Sequence, residues 1–165
     1  MALPALTAWW FLPFVGPICL YVAYTDLARM KITNQAVLAL AAVYALVGLV
    51  AMPTWEIYLL GFAHLGLVLV AGIVLNAAGA MGAGDAKFLA AAAPYVALQD
   101  ANLLITLFMG VLLAAYVAHR LVRATPLRQL APGWDSWSTG RRFPMGLALG
   151  PTLLAYLGLA ALNGA

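Results

Sequence analysis

Six stretches of the chain are nearly unbroken runs of apolar residues, near 5–25, 36–52, 57–77, 86–99, 102–119 and 145–162, each bounded by charge, Pro or Gly. Crossing about 30 Å of hydrocarbon takes about 20 such residues in a helix, so the pattern predicts an all-α, polytopic membrane protein with six transmembrane helices. The polar positions gather in the connections, and the longest of these is the stretch 120–143. One membrane-embedded domain over residues 1–165 is the expected organisation. No basic residue precedes the first run, which is too long for a signal-peptide core, so it reads as a retained helix.

Composition sharpens the class. Hydrophobic residues make up 66% of the chain and charged residues 8%, far below the roughly 25% charged of soluble domains. The basic residues then orient the spans, because Lys and Arg near span ends stay on the cytoplasmic side. Arg29 and Lys31 follow the first run, Lys87 follows the connection after the third, and Arg120, Arg123, Arg128, Arg141 and Arg142 lie between the fifth and sixth. The opposite connections carry Glu56 and Asp100. Both termini are therefore expected outside the cytoplasm.

That orientation brings two acids to one face. Asp26 ends the first run and Asp85 lies in Gly82-Ala83-Gly84-Asp85-Ala86-Lys87, and an acid beside or within a membrane segment is a functional candidate by default. The fourth run, Ala86 to Gln99, spans only roughly 21 Å as a helix, which sets Asp85 below the membrane surface on a re-entrant turn. Irregular backbone at that depth requires cover by protein or a water-filled cavity. Paired carboxyls hold different protonation states because close like charges resist ionising together. One can then deprotonate a water while the other donates a proton to a scissile carbonyl. Gly82 and Gly84, lacking Cβ atoms, permit unusual backbone angles or close approach of a peptide.

Each acid also has an ordinary explanation. Asp85 suits the N-cap of the fourth helix, and Asp26 suits an interfacial pair with Arg29 one turn on. His64 and Asn76 suit interhelical hydrogen bonds. Lys87 suits either a headgroup contact or support of an ionised carboxylate. In the 120–143 connection, Trp134 and Trp137 with the arginines suit an interfacial anchor better than a substrate contact. The single cysteine, Cys19, suits packing, and neither His64 nor His119 has a ligand partner at metal-site spacing. No metal and no cofactor is expected.

Three segments together resemble the type IV prepilin peptidases, including the preflagellin peptidases and the short forms associated with Tad/Flp pili. Gly82-Ala83-Gly84-Asp85-Ala86-Lys87 is similar to the family's GxGDxK signature. Asp26-Leu27-Ala28-Arg29-Met30-Lys31-Ile32-Thr33-Asn34 is similar to its other aspartate motif, with Thr33 where the family usually has Pro. Arg142-Phe143-Pro144-Met145-Gly146 with Gly150-Pro151 resembles the opening of its last helix.

The resemblance implies an aspartic endopeptidase of the inner membrane. Asp26 and Asp85 would be its catalytic dyad at the cytoplasmic face, with Gly82, Gly84, Lys87 and Asn34 in support. Its partners would be pilin-like precursors and the bilayer, with no nucleic acid. Larger members also methylate the new N-terminus and carry a cysteine-containing segment before the core; without those cysteines, peptidase activity alone is expected here. Two other classes of function remain open on the residues themselves: a small proton- or cation-coupled transporter, in which two acids and a broken helix relay charge, and a non-catalytic subunit of a secretion system.

Overall fold

The computed structural model describes residues 1–140 and 142–164. Arg141, counted above among the basic residues of the long connection, and Ala165 lie outside the described residues. Among the described residues all regular structure is helical: α1 (Ala5–Arg29), α2 (Asn34–Ala51), α3 (Trp55–Ala77), α4 (Ala83–Ala92), α5 (Ala101–Ala124) and α6 (Gly146–Asn163). Short 3-10 turns occupy Ala93–Tyr95, Leu98–Asp100, Pro126–Leu130 and Asp135–Trp137. Five of these helices, α1, α2, α3, α5 and α6, are long and apolar enough to cross a membrane, and the chain is a multi-pass membrane protein.

The fourth run departs from the predicted 86–99 span. Its helix starts earlier, at Ala83, and gives way after 10 residues to 3-10 turns around Pro94. Proline lacks the amide N–H and its ring crowds the carbonyl four residues back, so α-helical bonding stops there. Ten helical residues rise only about 15 Å, half the hydrocarbon thickness.

The connections are set by local chemistry. α1 stops where Met30 adopts a left-handed conformation, φ 50°, and its amide bonds back to the Asp26 carbonyl. Thr33 and Thr54 cap α2 and α3, their side chains accepting from the amides of Ala36 and Ile57 at 3.3 Å. After α3 the chain reverses through Gly79, φ +73°, a conformation that costs glycine nothing. Asn76 closes this turn by donating to the Met81 carbonyl at 2.8 Å. The expected interhelical bond of Asn76 is thus replaced by one within its own connection.

α1 is the central helix. It packs along α6 and against α2, while α3 lies on α4 and α5 covers the outer side of α6. Close approach of α1 and α6 depends on a small residue, as is usual between membrane helices: a Cβ at Gly150 would sit 2.5 Å from the Cys19 carbonyl oxygen. Cys19 itself is buried there. Between α1, α2 and the turn after α4, Phe11, Tyr44 and Tyr95 form an aromatic cluster with centroids 4.8 to 6.0 Å apart. The hydroxyls in this cluster all find carbonyls: Tyr44 donates to Tyr58 at 2.9 Å and Tyr95 to Leu40 at 2.7 Å. An unsatisfied hydroxyl in such a setting costs several kcal/mol in roughly the range 2–7.

Asp100 organises the opposite end of the bundle from Asp26. Its carboxylate accepts from the amides of Ala2 at 3.0 Å and Leu3 at 3.3 Å and from the Tyr156 hydroxyl at 2.9 Å. This ties the start of the chain to α6.

Candidate active site

Asp26 occupies the last turn of α1 and is only 6% exposed. Its partner is the start of α6 and not Arg29: the Gly146 amide donates to Asp26 Oδ2. The fit is tight. A Cβ at Gly146 would lie 2.9 Å from the Asp26 Cβ and 3.0 Å from Oδ2. Pro144, two residues earlier, is fully buried and fixes the entry of the chain into α6. The Phe143–Gly146 segment thus has a direct contact with a candidate acid, which the sequence did not reveal because Gly146 acts through its backbone.

Asp85 lies in the first turn of α4, whose N-cap is Gly82. It therefore stands three residues inside the helix and is not itself the cap. From there its carboxylate folds back on Gly82, so that a Cβ at Gly82 would sit 2.7 Å from Asp85 Oδ2. This is the reach-back half of a capping box, in which an acid at the third position serves the free amide at the cap. Gly82 keeps an ordinary φ of −67°. What it contributes is space and not an unusual angle.

The two aspartate motifs pack on each other. A Cβ at Gly84 would be 3.3 Å from the Ile32 Cβ, so this glycine lets α4 approach the α1–α2 connection. Next to it, Lys87 Nζ donates to Asn34 Oδ1 at 3.0 Å. Lys87 accordingly bridges the motifs through Asn34. Asp85 and Asp26 come within electrostatic reach of one another, although 58 residues separate them in sequence. All six candidate residues, Asp26, Asp85, Gly82, Gly84, Lys87 and Asn34, thus belong to one corner of the molecule, with Gly146 added to them.

A cavity of about 710 Å³ opens from this corner, within the usual range of roughly 300–1,000 Å³ for ligand sites. Asp85 and Gly82 line one end, and apolar side chains of α3, α4, α5 and α6 line the rest. His64 also lines it.

The long connection folds over the same corner. Trp137 stacks on His119 with centroids 5.0 Å apart and on Trp134 at 5.6 Å, and Trp134 meets Tyr24 edge-on at 6.1 Å. Arg123 anchors the loop by donating to the Gly140 carbonyl at 2.7 Å. The two tryptophans thus form a strap across to α1, two residues before Asp26. Among the described residues neither ring nitrogen of buried His119 has a hydrogen-bond partner, and its ring is stacked on Trp137.

The sequence model of the type IV leader peptidase family matches residues 14–119, well over half of the chain. The chain belongs to the type IV leader peptidase family. The match takes in both aspartate motifs and stops short of Gly146. No curated protein and no solved structure matches the chain.

Proposed function

We propose that this leader peptidase family member is an aspartic endopeptidase that removes the short basic leader of pilin-like precursors at the cytoplasmic face of the inner membrane. The packing of the two aspartate motifs on one another, with Asp85 at one end of the cavity, supports the reading. One carboxylate takes a proton from a water as it attacks the scissile carbonyl. The other, protonated, donates to the carbonyl oxygen, and the proton then passes to the leaving amine. An amide can only donate, so Asp26 Oδ2, facing the Gly146 N–H, is an acceptor. Water or a carried proton belongs at Oδ1.

In this reading the broken segment from α4 to the turn at Asp100 supplies a sixth crossing, and both termini lie outside the cytoplasm. Basic residues at the Asp26 end of the bundle support that orientation. The proposed activity is leader cleavage alone, without methylation of the new N-terminus.

Co-expression with pilin-like precursors from the same genome tests the proposal through precursor size on gels. Wild type shortens a precursor, while Asp26→Asn and Asp85→Asn each lower the rate by about 10²–10⁴-fold, the usual worth of a general acid or base. Full cleavage by either variant sinks the dyad.

A further inference from the structure

Two segments meet at Asp26: the last turn of α1, which carries it, and the entry to α6, whose Gly146 amide donates to Oδ2. The close contact of these helices at Cys19 and Gly150 lies about 10 Å further along α1. At the site itself, the aim of the amide depends on the angle at which the chain enters α6.

A row of aromatic rings joins the same two segments by a second route. Tyr24, two residues before Asp26, meets Trp134 edge-on at 6.1 Å, and Trp134 stacks on Trp137 at 5.6 Å. Trp137 stacks on His119 at 5.0 Å, and His119 meets Phe143, three residues before Gly146, edge-on at 5.8 Å. All four separations fall in the roughly 4.5–7 Å range of favourable ring pairs. Together with the Asp26–Gly146 bond, the rings close a circuit around the candidate acid. Its middle is pinned to the backbone: Trp137 Nε1 donates to the Ala131 carbonyl at 2.8 Å, and Arg120 and Arg123 donate to the Gly140 carbonyl at 3.2 and 2.7 Å. His119 is 3% exposed and takes part through the flat of its ring, since neither nitrogen has a hydrogen-bond partner among the described residues. Both tryptophans and Phe143 lie beyond the residues 14–119 that the family model matches.

We infer that Trp137 and His119 are positioning residues for Asp26. Through Phe143 they set the entry of α6, and with it they hold the Gly146 amide against Oδ2. The inference rests on the peptidase reading above, in which Oδ1 faces the water or carries the proton. Neither residue touches substrate in this assignment, so their loss slows the chemical step and leaves substrate binding alone.

The test uses the full-length protein in lipid nanodiscs, with two independent readouts. The first is kcat and KM for a pilin-like precursor from the same genome. Trp137→Ala and His119→Ala should lower kcat by about 10²-fold, as for a reacting group displaced by about 1 Å, with KM unchanged. Trp137→Phe and His119→Phe keep a ring in place and should restore kcat. Trp55→Ala removes an exposed ring that meets Tyr58 at 5.5 Å near the start of α3 and should leave both constants unchanged. The second readout is hydrogen exchange at the Gly146 amide, which needs no substrate. Exchange should quicken about tenfold in Trp137→Ala, the worth of a lost hydrogen bond, and stay slow in Trp137→Phe. Unchanged exchange at Gly146, a raised KM with kcat kept, or a His119→Phe variant as slow as His119→Ala overturns the assignment. Quickened exchange in a protein that cleaves no precursor supports the clamp on Asp26 and overturns the peptidase reading instead.

Discussion

Gly146 shows how one absent side chain governs an acid 120 residues away. A methyl group there would press on Asp26 at 2.9–3.0 Å, and the buried carboxylate has little room to yield. Gly146→Ala is expected to lower cleavage by about 10²-fold, the typical effect of misplacing a reacting group by about 1 Å. Gly158→Ala, later in the same helix and with nothing within 4 Å of the added Cβ, should leave cleavage unchanged. Rates with the same precursor in matched membranes compare the two. The acid pair also dictates the shape of the pH dependence. In the proposed mechanism lowering pH protonates the base and raising pH removes the acid's proton, so cleavage against pH is expected to be bell-shaped. Both limbs belong to the pair and not to either residue. A single-limbed profile in purified protein would exclude a shared acid–base role.

The helices themselves were legible because membrane spans are written in long apolar runs, and five of the six predicted runs coincide with helices of spanning length. The fourth was misjudged in length because hydropathy does not register the break that Pro94 makes in backbone bonding. At the site, both aspartates and their flanking glycines stood out, since charge and glycine are conspicuous among apolar residues. Gly146 stood out only as part of the opening of the last helix, and its bond to Asp26 did not, because a backbone amide leaves no signature in sequence. The Trp134–Trp137–His119 stack was equally hidden, as its parts come from a helix end and a loop. Thr33 shows local structure explaining a departure from the family's pattern. Its φ of −78° lies within the range proline adopts, and its side chain caps α2 in addition. Thr33→Pro and Thr33→Ala both lose the side-chain cap, worth about 1 kcal/mol, but proline keeps the backbone angle, so Thr33→Pro should retain cleavage. Thermal unfolding in detergent and precursor cleavage check the two effects separately.

Across the whole molecule, the two ends of the bundle are fastened differently. Asp100 gathers three donors and closes one end, while the other leaves Asp85 facing an open groove. α1 and α6, distant in sequence, form the most intimate helix pair, with Gly150 against Cys19 and Gly146 against Asp26. Residues 1–143 made alone should accordingly be inactive, and co-expressing residues 144–165 as a separate membrane segment should restore cleavage in part. Precursor size in cells making one or both fragments checks this. The bond between Asp26 and Gly146 thus also bears on biosynthesis. A ribosome delivers α1 first and α6 last, so a chain still leaving the translocon holds its acids without the amide that positions one of them. If the proposed dyad is right, unfinished or half-inserted copies are expected to be inert toward the membrane proteins around them.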